Sequence, residues 1–297
     1  MGSEPRTAPG DAIEHSATYV TFTSEAYAAE NDDETTRAAA EWLEAQSLHP
    51  FLREVAARTG ARLALQPGES VLDVGCGTGV FLPGLAAIAG PEGRVVGLDH
   101  SAAFLEDARK RLTEASLSDR VALVEGDAHR LPFQDETFDA AHCERVLMHL
   151  EDPALAIREM ERVVRPGGRV VIAEVYAAAA RMAHPDPEAE RLISAELVSG
   201  MRNVSMGIDV RGLMVQTGFT DVGGEAVGYF EETLDQDEAE EWTVLARGLA
   251  KRGILDHERA EAAIAAMEDI RARGMHCGLA VIFVVSGRVP EGDRDGA

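Results

Sequence analysis

Residues 71 to 79 read Val71-Leu72-Asp73-Val74-Gly75-Cys76-Gly77-Thr78-Gly79, a short apolar run that passes directly into a turn with three glycines, and a helical stretch follows. The run suits a strand covered on both faces, which is apolar at successive positions instead of alternating. The turn suits a backbone that takes positive φ, or one that lies against a ligand with no room for a Cβ. A nucleoside or nucleotide is the usual occupant of such a junction, and the plain alternative is a tight βα turn with no ligand. About 20 positions onward, Gly97-Leu98-Asp99 ends the next apolar run on an acid. Asp99 is placed either to hold ribose hydroxyls or to cap the helix SAAFLEDARKRL. Val80 stands where a dinucleotide fingerprint would carry its third glycine, which disfavours an NAD(P)-dependent oxidoreductase.

Outward from this junction, apolar runs alternate with amphipathic helices. Strands are expected at 70–74, 94–98, 121–125, 138–142 and 169–174, with helices near 79–89, 101–115 and 153–165 and a turn at Arg165-Pro166-Gly167-Gly168. After Glu174 the alternation breaks. Residues 176–206 read as a polar, helical insertion, and strand chemistry returns at 222–230 and 278–286 with two helical stretches between. The expectation is an α/β fold with a doubly wound, seven-stranded, mostly parallel sheet occupying 67–288. It is preceded by an N-terminal helical lid region at 16–66 and flanked by flexible tails at 1–15 and 289–297.

The bulk numbers exclude several functions. The chain has 297 residues and 45% hydrophobic content, enough for a sizeable core, and lacks an uninterrupted apolar stretch of membrane-spanning length. With 28 basic and 52 acidic residues the formal charge is −24, which repels phosphate backbones and anionic lipid, so neither nucleic acid nor membrane is an expected partner. The acidity reads as a solvated surface or, less simply, as a complement to a cationic substrate. Cys76, Cys143 and Cys277 are odd in number and widely spaced, which suggests a reducing, cytoplasmic setting and no metal site.

Further matches give the junction a family resemblance. Asp73 stands two residues before Gly75, Asp127-Ala128 follows the third run, and Leu131-Pro132-Phe133 leads to Phe138-Asp139 at the fourth. In these features the chain resembles the class I S-adenosylmethionine-dependent methyltransferases, in particular the small-molecule, UbiE-like members, over roughly 70–175 and more weakly to 286. The resemblance implies S-adenosyl-L-methionine as cofactor and a small molecule as acceptor. It implies that Asp73, Gly75, Gly77 and Gly79 cradle the methionine and ribose portion, that Asp99, with His100 beside it, faces the ribose, and that Asp127 and Ala128 lie near adenine.

In open α/β sheets the ligand crevice lies at the carboxyl ends of the strands, so the exit of the fourth strand should face the transferred methyl. By the resemblance Cys143 and Glu144 are cofactor contacts there, although Cys143 would serve equally as a small buried residue. His149, Glu144 and Tyr27 are candidates for a general base, in that order, should the acceptor need to lose a proton. His149 would serve equally for packing. Tyr19 and Tyr27 mark the amino-terminal region as an aromatic lid over the substrate or as a staple for its helix. Arg202 and Asn203 place a second candidate lid in the insertion, and His184 is expected at the surface. A homodimer is the expected assembly. A member of the fold that binds cofactor without methyl transfer is the remaining alternative.

Overall fold

Each helix that borders the site begins on a local signal that the chain supplies. The computed structural model describes residues 39 to 292 apart from 42, 46 and 48. Helix α1 (Pro50–Leu63) starts on a proline, whose missing N–H is not needed in a first turn, and His49 caps it by accepting from Phe51 N at 3.2 Å. Ser101 caps α3 (Ala102–Glu114), and Asp152 caps α4 (Pro153–Val163). Between them run β1 (Ser70–Val74), α2 (Leu82–Ala89), β2 (Arg94–Asp99), β3 (Val121–Glu125), β4 (Phe138–Glu144) and β5 (Val164–Val175).

The strands lie in the order β3-β2-β1-β4-β5, all parallel, and β8 (Gly278–Arg288) then runs antiparallel beside β5. Beyond it β7 (Thr220–Glu231) is antiparallel to β8 over its length. The chain winds outward from β1 to β3 and returns to β4 on the other side of β1. That reversal opens a crevice at the carboxyl ends of β1 and β4. Val71, Leu72 and Val74 are fully buried, as a central strand covered on both faces requires.

The sheet departs from the expected seven strands by a two-residue addition, β6 (Arg181–Met182), which pairs with the start of β8. Arg165 to Gly168 lie within β5, not in a turn before it. Pairing with β4 shifts register between Phe138 and Ala140, Gly167 takes φ of +74°, and Gly167 N donates to Val289 O while Val289 N donates to Gly168 O. The glycines therefore make a bulge that continues the ladder. Val289, expected in a tail, is buried by the same pairing.

The insertion contributes α5 (Pro187–Leu197), capped by Asp186. It packs with α7 (Gln236–Lys251) and α8 (His257–Ala272) around Ile193, Trp242, Leu245 and Met267, a helical core separate from the two that flank the sheet. His184 belongs to this packing and is half-buried, not at the surface as expected. Its Nε2 lies 3.0 Å from Ala263 O and its ring 5.2 Å from that of Trp242. Helix α6 (Met206–Thr217) returns the chain to the sheet. No described helix is long and apolar enough to cross a membrane.

Candidate active site

The loops at the carboxyl ends of β1, β2 and β3 wall one side of a cavity of about 520 Å³. Gly75, Gly77 and Gly79 have φ of +72°, +53° and +76°. A Cβ on Gly75 would lie 2.3 Å from Val146 Cγ2, so packing alone demands that glycine, whereas a Cβ on Gly77 would meet nothing nearer than Leu43 Cδ1 at 3.7 Å. Bare main chain therefore faces the cavity at Gly77. Gly75 N and Cys76 N both donate to Leu98 O, at 2.7 and 2.9 Å, which ties the turn to β2.

Asp99 is buried at the end of β2, and its two oxygens accept from Gly77 N and Ser101 N, each at 2.9 Å. Capping of α3 falls instead to Ser101, whose hydroxyl accepts from Phe104 N at 3.3 Å. The turn thus orients the Asp99 carboxylate and leaves lone pairs for ligand hydroxyls in the cavity that it lines. His100 lines the same wall, its Nδ1 3.4 Å from Asp99 Oδ1. Asp127 and Ala128 complete it. Partial burial would raise the Asp127 carboxyl, but hydrogen bonds from His129 N and His129 Nδ1 hold it below the ordinary range. A fixed acid for a hydroxyl pair, exposed main chain and a small apolar wall fit the adenosyl and ribose parts of S-adenosylmethionine.

The opposite wall is the exit of β4. Side chains alternate along a strand, and His142 and Glu144 line the cavity while Cys143 lies on the other face. Cys143 was expected as a cofactor contact. Its side chain is instead fully buried among Leu72, Val74 and Ile172, and burial raises its thiol pKa well above the usual value. Asp73 Oδ1 and His142 Nδ1 are 2.7 Å apart and both side chains are buried. Burial pulls the His142 imidazole down, but the Asp73 carboxylate outweighs it and the net shift is upward.

Glu144 carries the least satisfied groups of the site. Both of its oxygens are buried and find no hydrogen-bond donor among the described residues, as is true of Asp73 Oδ2 and His142 Nε2. Arg145 Nε stands 3.4 Å from Glu144 Oε1, at ion-pair distance without hydrogen-bond geometry. Burial raises the Glu144 carboxyl against the opposing pull of Arg145 and His142. Behind it Glu174 is fully buried, and its Oε1 accepts from Val146 N at 2.9 Å and Leu147 N at 2.6 Å. Glu174 thereby holds the start of the single helical turn Leu147–His149, and burial pushes its carboxyl up to about 8.

His149 lines the cavity from that turn. Burial, reinforced by Arg145, His100 and Arg202, pushes its imidazole down to about 3, so it is neutral at ordinary pH. Arg202 lines the cavity and pairs with Glu151 at 3.0 Å. Asn203, expected to touch substrate, acts as a latch instead. Its amide donates to Leu147 O at 3.0 Å and Leu150 O at 2.8 Å, so both side-chain hydrogens are committed to the main chain of the neighbouring turn. Tyr19 and Tyr27 lie outside the described residues. Sequence reasoning missed His142 and Arg145. The first was readable from period-two alternation once β4 is extended to Glu144, whereas nothing local announces Arg145, which sits at φ of +56°.

The model of a methyltransferase domain family matches residues 65–238, more than half of the chain. An uncharacterized 37.1 kDa protein in transposon TN4556 of Streptomyces fradiae is 41% identical over 53% of this chain and 45% of its own length. Demethylmenaquinone methyltransferase of Lactiplantibacillus plantarum is 41% identical over 39% of this chain and 49% of its own. The chain thus spans about half the length of the curated relatives it matches. Among solved structures the (4+2)-cyclase SpnF is 26% identical at a TM-score of 0.52, covering 89% of this chain and 86% of that one. Phosphoethanolamine N-methyltransferase 2 of Haemonchus contortus, solved with S-adenosyl-L-methionine, is 18% identical at a TM-score of 0.52, covering 80% and 53%, a likeness of fold. With the family model spanning the glycine turn, Asp99 and the β4 exit, this chain belongs to the methyltransferase domain family.

Proposed function

We propose that the protein transfers the methyl group of S-adenosylmethionine to an oxygen, nitrogen or carbon of a small molecule. The observation that carries this is the Asp99 carboxylate, fixed by Gly77 N and Ser101 N beside an open glycine turn and facing the large cavity. What the cofactor supplies when bound is a positively charged sulfonium with an activated methyl group. The protein's share is alignment and exclusion of water, and orientation of this kind is worth on the order of 7 to 11 kcal/mol in favourable systems.

A proton acceptor matters only for an acceptor hydroxyl or ammonium. An imidazole held near 3 is a weak base, so His149 serves better as a neutral hydrogen-bonding group. Glu144, raised by burial and without a hydrogen-bond donor among the described residues, is the stronger candidate for that proton. Three unpaired cysteines, two of them buried, agree with a reducing compartment, and on family analogy alone a metabolite of specialised metabolism is the class of acceptor we favour.

Calorimetric titration with S-adenosylhomocysteine, with NAD as control, tests the reading. Saturable binding of adenosylhomocysteine alone is expected; binding of NAD alone, or of neither, overturns it. A second reading comes from SpnF, a cyclase that matches this chain over most of both lengths. Tight cofactor binding with no methyl transfer across phenol, amine and enol acceptors would favour that reading.

A further inference from the structure

A second cavity, of about 280 Å³, opens between α1 and α2 and meets the first at Val80, Phe81, His142, Glu144 and Arg145. Its outer walls are apolar, with Leu52, Leu63, Leu85 and Ile88 among them. The polar lining residues are Ser47, Arg53 and Thr59, with His142, Glu144 and Arg145 at the junction. Among the described residues Thr59 Oγ1 is buried without a hydrogen-bond partner, and Glu144, at the junction, has both carboxylate oxygens buried without a hydrogen-bond donor, its one charged neighbour being Arg145 at ion-pair distance. A buried polar group without a partner costs free energy that a ligand donor would recover. An apolar chamber with a few convergent polar groups at one end is the form of a small-molecule site.

We propose that this second cavity is the acceptor pocket, and that it takes an apolar molecule bearing a hydroxyl, the hydroxyl donating to Glu144 where the two cavities meet. The proposal rests on reading the larger cavity as the cofactor site. The division of labour follows from position: the body of the acceptor lies between α1 and α2, and its reacting oxygen reaches the cofactor side past Phe81 and Arg145. On methyl transfer the acceptor oxygen would form its bond to carbon, the sulfonium would leave as a neutral thioether, and the hydroxyl proton would pass to Glu144.

Two glycines make the test clean. A Cβ built on Gly60 of α1 or Gly84 of α2 meets nothing within 4 Å, neither residue has positive φ, and both line the second cavity and not the first. The pair Gly60→Leu and Gly84→Leu therefore adds bulk at the walls of the second cavity, at positions where a Cβ meets no neighbour, and gains helix propensity. The probe is 2-naphthol, with naphthalene as its counterpart lacking the donor, titrated with and without saturating S-adenosylhomocysteine.

The native protein should bind 2-naphthol saturably and in preference to naphthalene, and the filled variant should lose about tenfold or more in naphthol affinity while its adenosylhomocysteine affinity stays within about twofold. Glu144→Met should erase the preference for naphthol over naphthalene. No naphthol binding by the native protein, or equal binding by the filled variant, overturns the proposal. Failure of adenosylhomocysteine to bind overturns the cofactor reading instead, so the two failures are distinguishable.

Discussion

The two walls of the large cavity are built on opposite principles. On the β2–β3 side the chain holds its own groups: Asp99 by Gly77 N and Ser101 N, the turn by Leu98 O, Asp127 by His129. At the β4 exit Glu144, His142 Nε2 and, from the adjoining β1, Asp73 Oδ2 are buried without hydrogen-bond partners among the described residues. A satisfied wall is rigid before any ligand arrives, and an unsatisfied one is a set of vacancies that a ligand can fill. The difference teaches where specificity resides. On the function proposed above, the first wall would recognise the cofactor and the second the acceptor.

Removing Asp99 breaks the comparison most severely. Asp99→Ala deletes the acceptor for ligand hydroxyls and also frees Gly77 N and Ser101 N, so both recognition and preorganisation are lost. Hydrogen bonds to a charged group are worth roughly 1.5 to 3 kcal/mol each, so adenosylhomocysteine affinity should fall on the order of 100-fold by calorimetry. Unchanged affinity would mean that the first wall is a tight turn and nothing more.

The same contrast explains what could be read without coordinates. The first wall is local: strand, glycine turn and Asp99 lie within thirty residues of one another and announce themselves by apolar runs and glycine spacing. The strands β1 and β3 fall where patterning places them: β1 is buried on both faces and leaves an apolar run, and β3, part-buried at the sheet edge, keeps the run Val121 to Val124. The second wall is not local. Asp73 meets His142 across 69 positions, and Glu174 reaches Val146 across 28. No spacing rule predicts such contacts, which is why His142 and Arg145 escaped notice and why Asn203 looked like a ligand contact when its amide is consumed by Leu147 O and Leu150 O. The glycine bulge of β5 escaped for a related reason. Arg-Pro-Gly-Gly has turn chemistry, and only pairing with Val289 makes it strand.

Glu174 sharpens the comparison, because it supports the second wall from behind without lining the cavity. Folded, its carboxyl titrates at about 8; unfolded, it reverts to the ordinary value near 4.5. Between those values the folded chain holds a proton that the unfolded chain has lost. Stability from this group is therefore full below 4.5 and is lost as pH rises through 8. Glu174→Gln keeps an oxygen for Val146 N and Leu147 N and removes the titration. In urea melts the variant should gain roughly 4 kcal/mol relative to the native protein on going from pH 5 to pH 8.5. A constant difference across that range would show that the buried carboxyl does not carry the shift.

The smallest expected effect isolates the vacancy itself. Thr59 Oγ1 is buried at the second cavity with no hydrogen-bond partner among the described residues, so Thr59→Val removes an unsatisfied hydroxyl and replaces it with a methyl of nearly the same size. Losing an orphaned polar group is neutral or favourable, so the change in unfolding free energy should be between zero and about 1 kcal/mol of stabilisation. Adenosylhomocysteine affinity should not move, because Thr59 does not line the first cavity. A loss of stability would show that the hydroxyl is already satisfied in solution. The second cavity would then offer a ligand donor Glu144 alone, and its apolar end would hold nothing for a polar group to meet.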